Sequence, residues 1–137
     1  MKLCNETVTV FNKKLNSEKG WNSYIPTVIH GVSWYCEIAS VVDGSGLHAA
    51  NHFTIRIPED ADTGNKSYAD PITYADEPIS SGLWTLANGD ILVKAEVTDD
   101  TLTPAQIHAT YSDCCTVLGV TDNRRAPNAP HFKVVGS

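Results

Sequence analysis

Apolar and polar residues alternate with a period of two in several stretches of the chain, and this period is typical of half-buried β-strands. Valines alternate with threonines in Thr7–Phe11. In Phe53–Ile57 apolar residues occupy every second position, and Pro58 ends the run because proline cannot donate a ladder hydrogen bond. A third stretch is Thr27–Tyr35, where the same period places on one face Val28, His30, Val32 and Trp34.

A β-hairpin is predicted in Trp84–Val93, which carries Asn88 and Gly89 between two apolar runs. Asn-Gly is the strongest short-range hairpin signal, because both turn residues accept a positive φ. We expect the second strand of this hairpin to continue through Lys94–Val97.

A short helix is predicted to begin after Thr103, which is a suitable N-cap residue. Pro104 fits the first helical position, and Gln106 stands where a capping box requires a glutamine or glutamate. Two further strands, Cys115–Val120 and Phe132–Val135, are expected near the end of the chain.

These patterns predict an all-β fold, because short strands alternate with polar turns and no long helix separates them. We expect a single domain over residues 1–137, folded as a small β-barrel or sandwich. It would contain about seven short antiparallel strands, one short helix and one long inter-strand loop at residues 59–83.

The predicted loop Glu59–Leu83 is rich in proline, glycine and aspartate, and a loop of this length in a compact domain tends to be functional. It also holds apolar side chains, so we expect it to become ordered against a partner. Aromatic residues anchor interfaces, and arginines can form bidentate pairs with an acidic partner. The candidate subunit or partner interface therefore consists of Tyr68, Tyr74, Asp76, Ile79, Trp84, Arg124 and Arg125.

The formal net charge of the 137-residue chain is −6, which disfavours tight nucleic-acid binding because that needs clustered Lys and Arg. No apolar run approaches the ~18 residues that span a bilayer, so we expect no membrane partner. Met1–Glu6 has no apolar signal core, so we expect a protein that is not exported. The four cysteines are then expected to be free thiols packed as small hydrophobic side chains.

The sequence contains no nucleotide-binding motif, no zinc-binding motif and no nucleophile elbow. His48 and His52 would align on one helix face, but a zinc site needs three or four ligands. We therefore expect no catalytic residue, no metal and no cofactor. An enzyme would instead require that His30, His108 or His131 meets a cysteine or a carboxylate in a cleft.

Six segments, taken in order, resemble small head–tail connector proteins of tailed phages that infect Gram-positive bacteria. The resemblance runs nearly the whole length of the chain, and the ordered set carries it rather than any single motif. The segments are Val8–Asn12, Thr27–Trp34, Trp84–Leu86, Gly89–Lys94, Val120–Arg125 and Pro130–Val134.

This resemblance implies a minor structural protein of the virion neck, of the head-completion or stopper type, assembled in the host cytoplasm. Such proteins form homo-oligomeric rings between the portal-bound adaptor and the tail proteins, and DNA passes through the ring without sequence-specific binding. Within the neck, a tail-terminator position stays open, whereas an adaptor would be mainly helical. The residues alone also leave open a β-sandwich module that binds carbohydrate or protein, and a small enzyme.

Overall fold

The computed structural model of the chain describes residues 5–16, 21–43, 46–76, 82–99, 101–125, 127 and 130–137. Within these residues lie eight strands and two short helices. In chain order they are β1 Glu6–Asn16, β2 Trp21–Asp43, β3 Gly46–Pro58, β4 Ser67–Tyr68, α1 Pro71–Asp76, β5 Leu83–Trp84, β6 Ile91–Val93, α2 Pro104–Thr110, β7 Cys114–Asn123 and β8 His131–Gly136.

Six of the strands close into an antiparallel barrel in the order β1–β2–β3–β8–β7–β6, and β6 pairs back onto β1. The other two, β4 and β5, form a small parallel sheet. The predicted all-β class and the barrel architecture are therefore confirmed. The strands are less uniform than expected, since β2 alone has 23 residues, and α1 is a second helix that the sequence pattern did not indicate.

Apolar side chains from alternate strand positions fill the barrel interior, as a barrel with a period of two requires. In β3 the alternation is the predicted one, with Phe53, Ile55 and Ile57 buried. Two members of the cluster come from β5 and the residues after it rather than from a barrel strand. The interior cluster consists of Val8, Val10, Ile29, Val32, Phe53, Ile55, Ile57, Trp84, Leu86, Leu92, Cys115, Val117, Phe132 and Val134.

A bulge in β2 changes which of its residues face the interior. The pairing with β1 skips Gly31, passing from His30 to Val32. Gly31 has φ +87°, a left-handed conformation that glycine adopts without strain. As a result Ile29 and Val32 are both fully buried, whereas His30 is exposed. The single face expected for residues 28–34 is therefore wrong, because the extra residue shifts the alternation by one position.

A second apolar cluster covers the outside of the barrel beside β1. Phe11 of β1 is fully buried there with residues of β6, of α2 and of the segment between them, namely Ile91, Val93, Val97 and Ile107. Thr9 is buried on the same side, where its hydroxyl donates to the Ala95 carbonyl at 2.7 Å and accepts from the Val97 amide at 2.9 Å. Both faces of β1 are thus covered.

The start of α2 is the predicted one. The Thr103 hydroxyl accepts from the Gln106 amide at 3.3 Å, and the Gln106 side chain accepts from the Thr103 amide at 2.9 Å. Pro104 occupies the first helical position, and Ile107 anchors the helix in the outer cluster. The capping box therefore satisfies amides that the first helical turn leaves unpaired.

The predicted hairpin in Trp84–Val93 is wrong. Gly89 does form a turn, with φ +92°, and the Asp90 amide donates to the Ala87 carbonyl at 3.1 Å. The flanking strands pair elsewhere, however, since β5 pairs with β4 and β6 pairs with β1 and β7. Nor does β6 continue through Lys94–Val97, which crosses the outer side of β1 instead.

The segment Glu59–Leu83 is partly regular rather than an open loop, because it contains β4 and α1. Mutual backbone hydrogen bonds between His30 and Asp62, at 2.9 and 3.2 Å, tie its first part to β2. Asp70 caps α1 by accepting a backbone hydrogen bond at 3.0 Å. Residues 77–81 of the segment lie outside the described residues.

Candidate partner-binding site

Three aromatic rings pack together at the end of the barrel where β3 ends and β8 begins. Tyr68 of β4 contacts Phe132 of β8 and Trp84 of β5, with centroid distances of 4.4 and 5.3 Å. Trp84 and Phe132 are buried, and Tyr68 is half-buried. The pairing of β4 with β5 fixes this arrangement, because it places Tyr68 directly beside Trp84.

The guanidinium group of Arg124 lies against these rings. Its Cζ is 5.0 Å from the Tyr68 centroid and 4.9 Å from the Phe132 centroid, within the range of cation–π attraction. The same group is bidentate to Asp122, with Nε 3.0 Å from Oδ1 and Nη2 2.9 Å from Oδ2. The hydrogen bonds from Arg124 lower the pKa of Asp122, whereas burial raises the pKa of Tyr68. The orientation of Arg124 is therefore fixed by a carboxylate and two rings.

Two clefts open beside Arg124. One has a volume of about 300 Å³, and its walls include Glu59, Lys66, Tyr68, Trp84, Arg124 and Phe132. The other has a volume of about 520 Å³, and its described lining residues are Glu59, Asp122, Arg124 and Arg125. Because Glu59 and Arg124 belong to both linings, the clefts adjoin, and we call the two together the arginine cleft.

Lys66 is half-buried and hydrogen-bonded in the wall of the arginine cleft. Its Nζ donates to the Pro26 carbonyl at 3.0 Å and to the Thr27 hydroxyl at 2.9 Å, and burial lowers the pKa of this amine. Glu59 and Arg125 are exposed. The arginine cleft therefore offers two carboxylates, two guanidinium groups and aromatic edges, which is the chemistry of a protein interface.

Four of the seven predicted interface residues line the arginine cleft: Tyr68, Trp84, Arg124 and Arg125. Asp76 lies elsewhere, exposed at the end of α1, and Ile79 lies outside the described residues. Sequence reasoning missed Phe132 in this role, although its place among alternating residues of β8 is a signal of an inward position. Glu59, Lys66 and Asp122 gave no such signal, because only the fold brings them to the cleft.

Tyr74 is separate from the arginine cleft and is buried between α1 and β1. Lys14 of β1 places its Nζ 4.3 Å from the Tyr74 ring centroid and donates to the Tyr74 carbonyl. Burial, together with the nearby Asp90 carboxylate, raises the pKa of Tyr74 to about 12. Tyr74 thus fixes α1 to the barrel and presents no free surface to a partner.

A buried polar network joins β1 to the connection between β5 and β6. Asp90 is 2% exposed and accepts from Asn12 Nδ2 at 2.9 Å, from the Lys13 amide at 3.0 Å and from the Ala87 amide at 3.1 Å. Asn12 Nδ2 also donates to the Thr85 carbonyl at 2.6 Å. Burial raises the pKa of Asp90, and the donated hydrogen bonds oppose that effect. The network is structural, because its donors already occupy the carboxylate.

A cysteine and a histidine meet on the outer surface near α2. Cys114 Sγ lies 3.2 Å from His108 Nδ1, and His108 Nε2 lies 3.3 Å from the Thr116 hydroxyl. Burial and the Asp113 carboxylate raise the pKa of Cys114, whereas a cysteine nucleophile needs a lowered pKa. Neither Cys114 nor His108 lines the arginine cleft. The raised pKa therefore favours the neutral thiol at Cys114 over the thiolate.

The other two histidines considered for catalysis contact polar side chains. His30 Nδ1 lies 3.0 Å from the Thr7 hydroxyl, and His131 Nε2 lies 3.3 Å from Asn123 Nδ2. Across the described part of the chain, no three His, Cys, Asp or Glu side chains form a group that could hold a metal ion. Of the cysteines in that part, Cys115 is buried as expected, Cys114 is half-buried and Cys36 is exposed.

Within the described ranges, no helix is long and apolar enough to cross a membrane. Comparison with curated proteins and with solved structures gave no match. Comparison with protein families gave a match that spans residues 3–137, to a group described as "Family of unknown function (DUF6751)". Because the match covers nearly the whole sequence, the chain belongs to this family.

Proposed function

We propose that the chain is a structural subunit of the head–tail connector in a tailed phage, where it forms a stopper-type ring around the DNA channel. The ordered resemblance of six segments to connector proteins supports this role, and so does a small closed barrel. In the virion neck the ring would contact the portal-bound adaptor on one side and tail proteins on the other.

A two-stranded arm that extends past the barrel is the observation that carries the proposal. Glu37–Asp43 of β2 pairs with Gly46–His52 of β3. Within the described residues neither segment pairs with a barrel neighbour, since β1 pairs with β2 only up to Val32 and β8 pairs with β3 only from Phe53 onward. We call this hairpin the arm. It is roughly 20 Å long at the usual rise per strand residue.

An isolated two-stranded ribbon is marginally stable in water, and its unpaired edges can pair with strands of other chains. The arm has such edges on both strands, because its only described strand pairing is the one between its own two segments. An assembled neck would supply edge partners for the arm, by addition of its strands to a neighbouring protein. This need for a neighbour fits a connector subunit better than a freely diffusing enzyme.

The net charge of the chain agrees with a channel whose wall lets DNA pass without binding it tightly. The net charge is −6, and clustered cations would instead grip the phosphates and slow their passage. Recognition of the neighbouring proteins would involve the arginine cleft, since Tyr, Trp and Arg dominate binding energy at protein interfaces.

A carbohydrate-binding module has less support from the arrangement of the aromatic residues. A sugar platform needs exposed ring faces, yet Trp84 and Tyr74 are only 4% and 5% exposed. The six-stranded closed barrel also differs from the sandwich on which that alternative was based.

The proposal is tested by mixing the purified protein with portal and adaptor rings of the phage that carries it. Negative-stain electron microscopy and light scattering should show the chain as a ring bound to those rings. In a matched variant, Asn-Gly replaces residues 39–50 and joins the paired residues Ile38 and Asn51 directly. This variant should keep the thermal unfolding temperature of the barrel but lose its attachment to the portal–adaptor rings. A wild-type chain that stays monomeric both alone and with those rings would contradict the proposal.

A further inference from the structure

An apolar row crosses the outer face of four barrel strands. Tyr35 of β2 pairs with Thr54 of β3, and Thr54 pairs with Val135 of β8. Val135 pairs with β7 at a bulge that turns Leu118 outward. Tyr35, Leu118 and Val135 are 57%, 56% and 37% exposed, and Thr54 lies between Tyr35 and Val135 in the register. We call Tyr35, Leu118 and Val135 the apolar row.

Two cations stand next to the apolar row. Arg56 of β3 pairs directly with Lys133 of β8, in the neighbouring register position on the same outer face. Like charges directly opposite on adjacent strands destabilise a sheet. Among the described residues, neither side chain takes part in an ion pair that would relieve this repulsion. This surface therefore favours a partner that brings both an apolar group and carboxylates.

Helix α1 presents such a group. Ile72 is 78% exposed, the highest value among the large apolar side chains described. Asp76 is exposed four positions later, so that it lies on the same face of the helix. Asp70 is exposed at the start of α1. We call these three residues the α1 knob, in which Asp76 lies beside Ile72 and Asp70 caps the start of the helix by accepting from Thr73.

The apolar row and the α1 knob belong to separate parts of the fold. Contact of Tyr74 with Lys14 places α1 against β1. The apolar row is centred on β8, which stands three positions from β1 in the closed order of six strands. One chain cannot join the two surfaces to each other, but a second copy can.

We propose that the α1 knob of one copy seats on the apolar row of the next, with Ile72 on the apolar side chains and the Asp76 carboxylate facing Arg56 and Lys133. Such a head-to-tail contact repeats from copy to copy and closes into a ring when the rotation between copies allows it. The inference rests on the proposed ring and names the surfaces that join its subunits.

Two variants test the contact, each blocking one side of it. Ile72→Glu would bury a carboxylate on the apolar row, and Leu118→Glu would set a carboxylate against the acidic α1 knob. Both residues are exposed, so folding should be unaffected, which circular dichroism and thermal unfolding check. Ala109→Glu, at an exposed position of α2, is the control with the same charge change. Assembly is measured by sedimentation velocity, either of the protein alone or of the protein mixed with portal–adaptor rings. The variants are measured in the setting in which the wild type assembles.

Each blocking variant should lose ring formation, whereas Ala109→Glu should keep it. An equal mixture of Ile72→Glu and Leu118→Glu should form a one-to-one dimer and nothing larger, because each variant retains one intact half of the contact. Rings from either single variant, or a mixture without dimers, would overturn this contact while leaving the proposed ring in place. A wild-type chain that assembles in neither setting would overturn the ring itself and this inference with it.

Discussion

Gly136 is the position where one added methyl group should test the packing of the barrel most directly. It is buried at the end of β8, between Phe53 of β3 and Val117 of β7. A Cβ at this position would lie 2.7 Å from the Thr116 carbonyl oxygen and 2.8 Å from Cys115 Sγ. Ordinary contacts between such atoms lie near ~3.5 Å, so Gly136→Ala forces the strands apart by a substantial fraction of an ångström.

The obstructing oxygen belongs to the backbone and cannot rotate away. Thr116 also exchanges two backbone hydrogen bonds with Ser137, at 3.0 and 3.2 Å, so that a shift of β8 would weaken them. Overpacking costs about 1–3 kcal/mol, and the lower entropy of the unfolded alanine chain offsets up to about 1 kcal/mol. We expect Gly136→Ala to lower the free energy of unfolding by about 2 kcal/mol.

Gly119 provides the matched control in β7. No atom lies within 4 Å of a Cβ added there, and its φ is not in the left-handed region. Gly119→Ala should therefore leave stability unchanged or raise it by up to about 1 kcal/mol. Urea unfolding at one fixed protein concentration measures both variants, with an unchanged m-value as the check on the comparison. Equal stabilities for the two variants would refute the claim that close packing excludes a side chain at residue 136.

Two further predictions concern titratable groups. Because burial raises the folded-state pKa of Asp90, its contribution to stability is present at low pH and is lost as the pH rises through that pKa. The stability of wild type relative to Asp90→Asn should therefore fall with rising pH in urea unfolding series, and a flat difference would contradict this sign. Exposed Cys36 should react with a thiol reagent in the folded protein, whereas burial, which raises the pKa of Cys115 to about 12, should keep Cys115 unreactive until unfolding. Peptide mapping of the labelled sites would decide, and rapid labelling of Cys115 would be the opposing result.

Signals that depend on neighbouring residues alone predicted their elements correctly. Thr103 and Gln106 cap α2 through contacts with each other, so no distant residue is needed to start this helix. Phe53–Ile57 alternates because one side of this part of β3 faces the barrel interior. Gly31 shows the limit of such patterns, since one bulged glycine reverses the alternation of β2.

The connection around Gly89 shows how burial overrides a local turn signal. The turn at Gly89 forms, but a hairpin would have paired β6 with the strand just before it in the chain. The barrel instead pairs β6 with β1 on one side and β7 on the other. In the barrel β6 lies between β1 and β7, with Leu92 inward and Ile91 outward, and both side chains are buried. Trp84 is meanwhile part of the interior cluster and pairs with Tyr68. Burial of both faces of β6 therefore favours its pairing with β1 and β7 over the hairpin that the Asn-Gly turn predicts.

The proposed surfaces depend on strand register. The sequence alone could therefore indicate some of their residues, but not which of these residues lie next to each other. Tyr68 and Arg124 were singled out separately, and they meet only because β4 and the end of β7 converge on Phe132. Arg56 and Lys133 become neighbours through the pairing of β3 with β8, and a shift of one residue would turn one of them inward. The same register fills the interior with Ile55 and Val134, so the packing that closes the barrel also places two like charges side by side on its outer face.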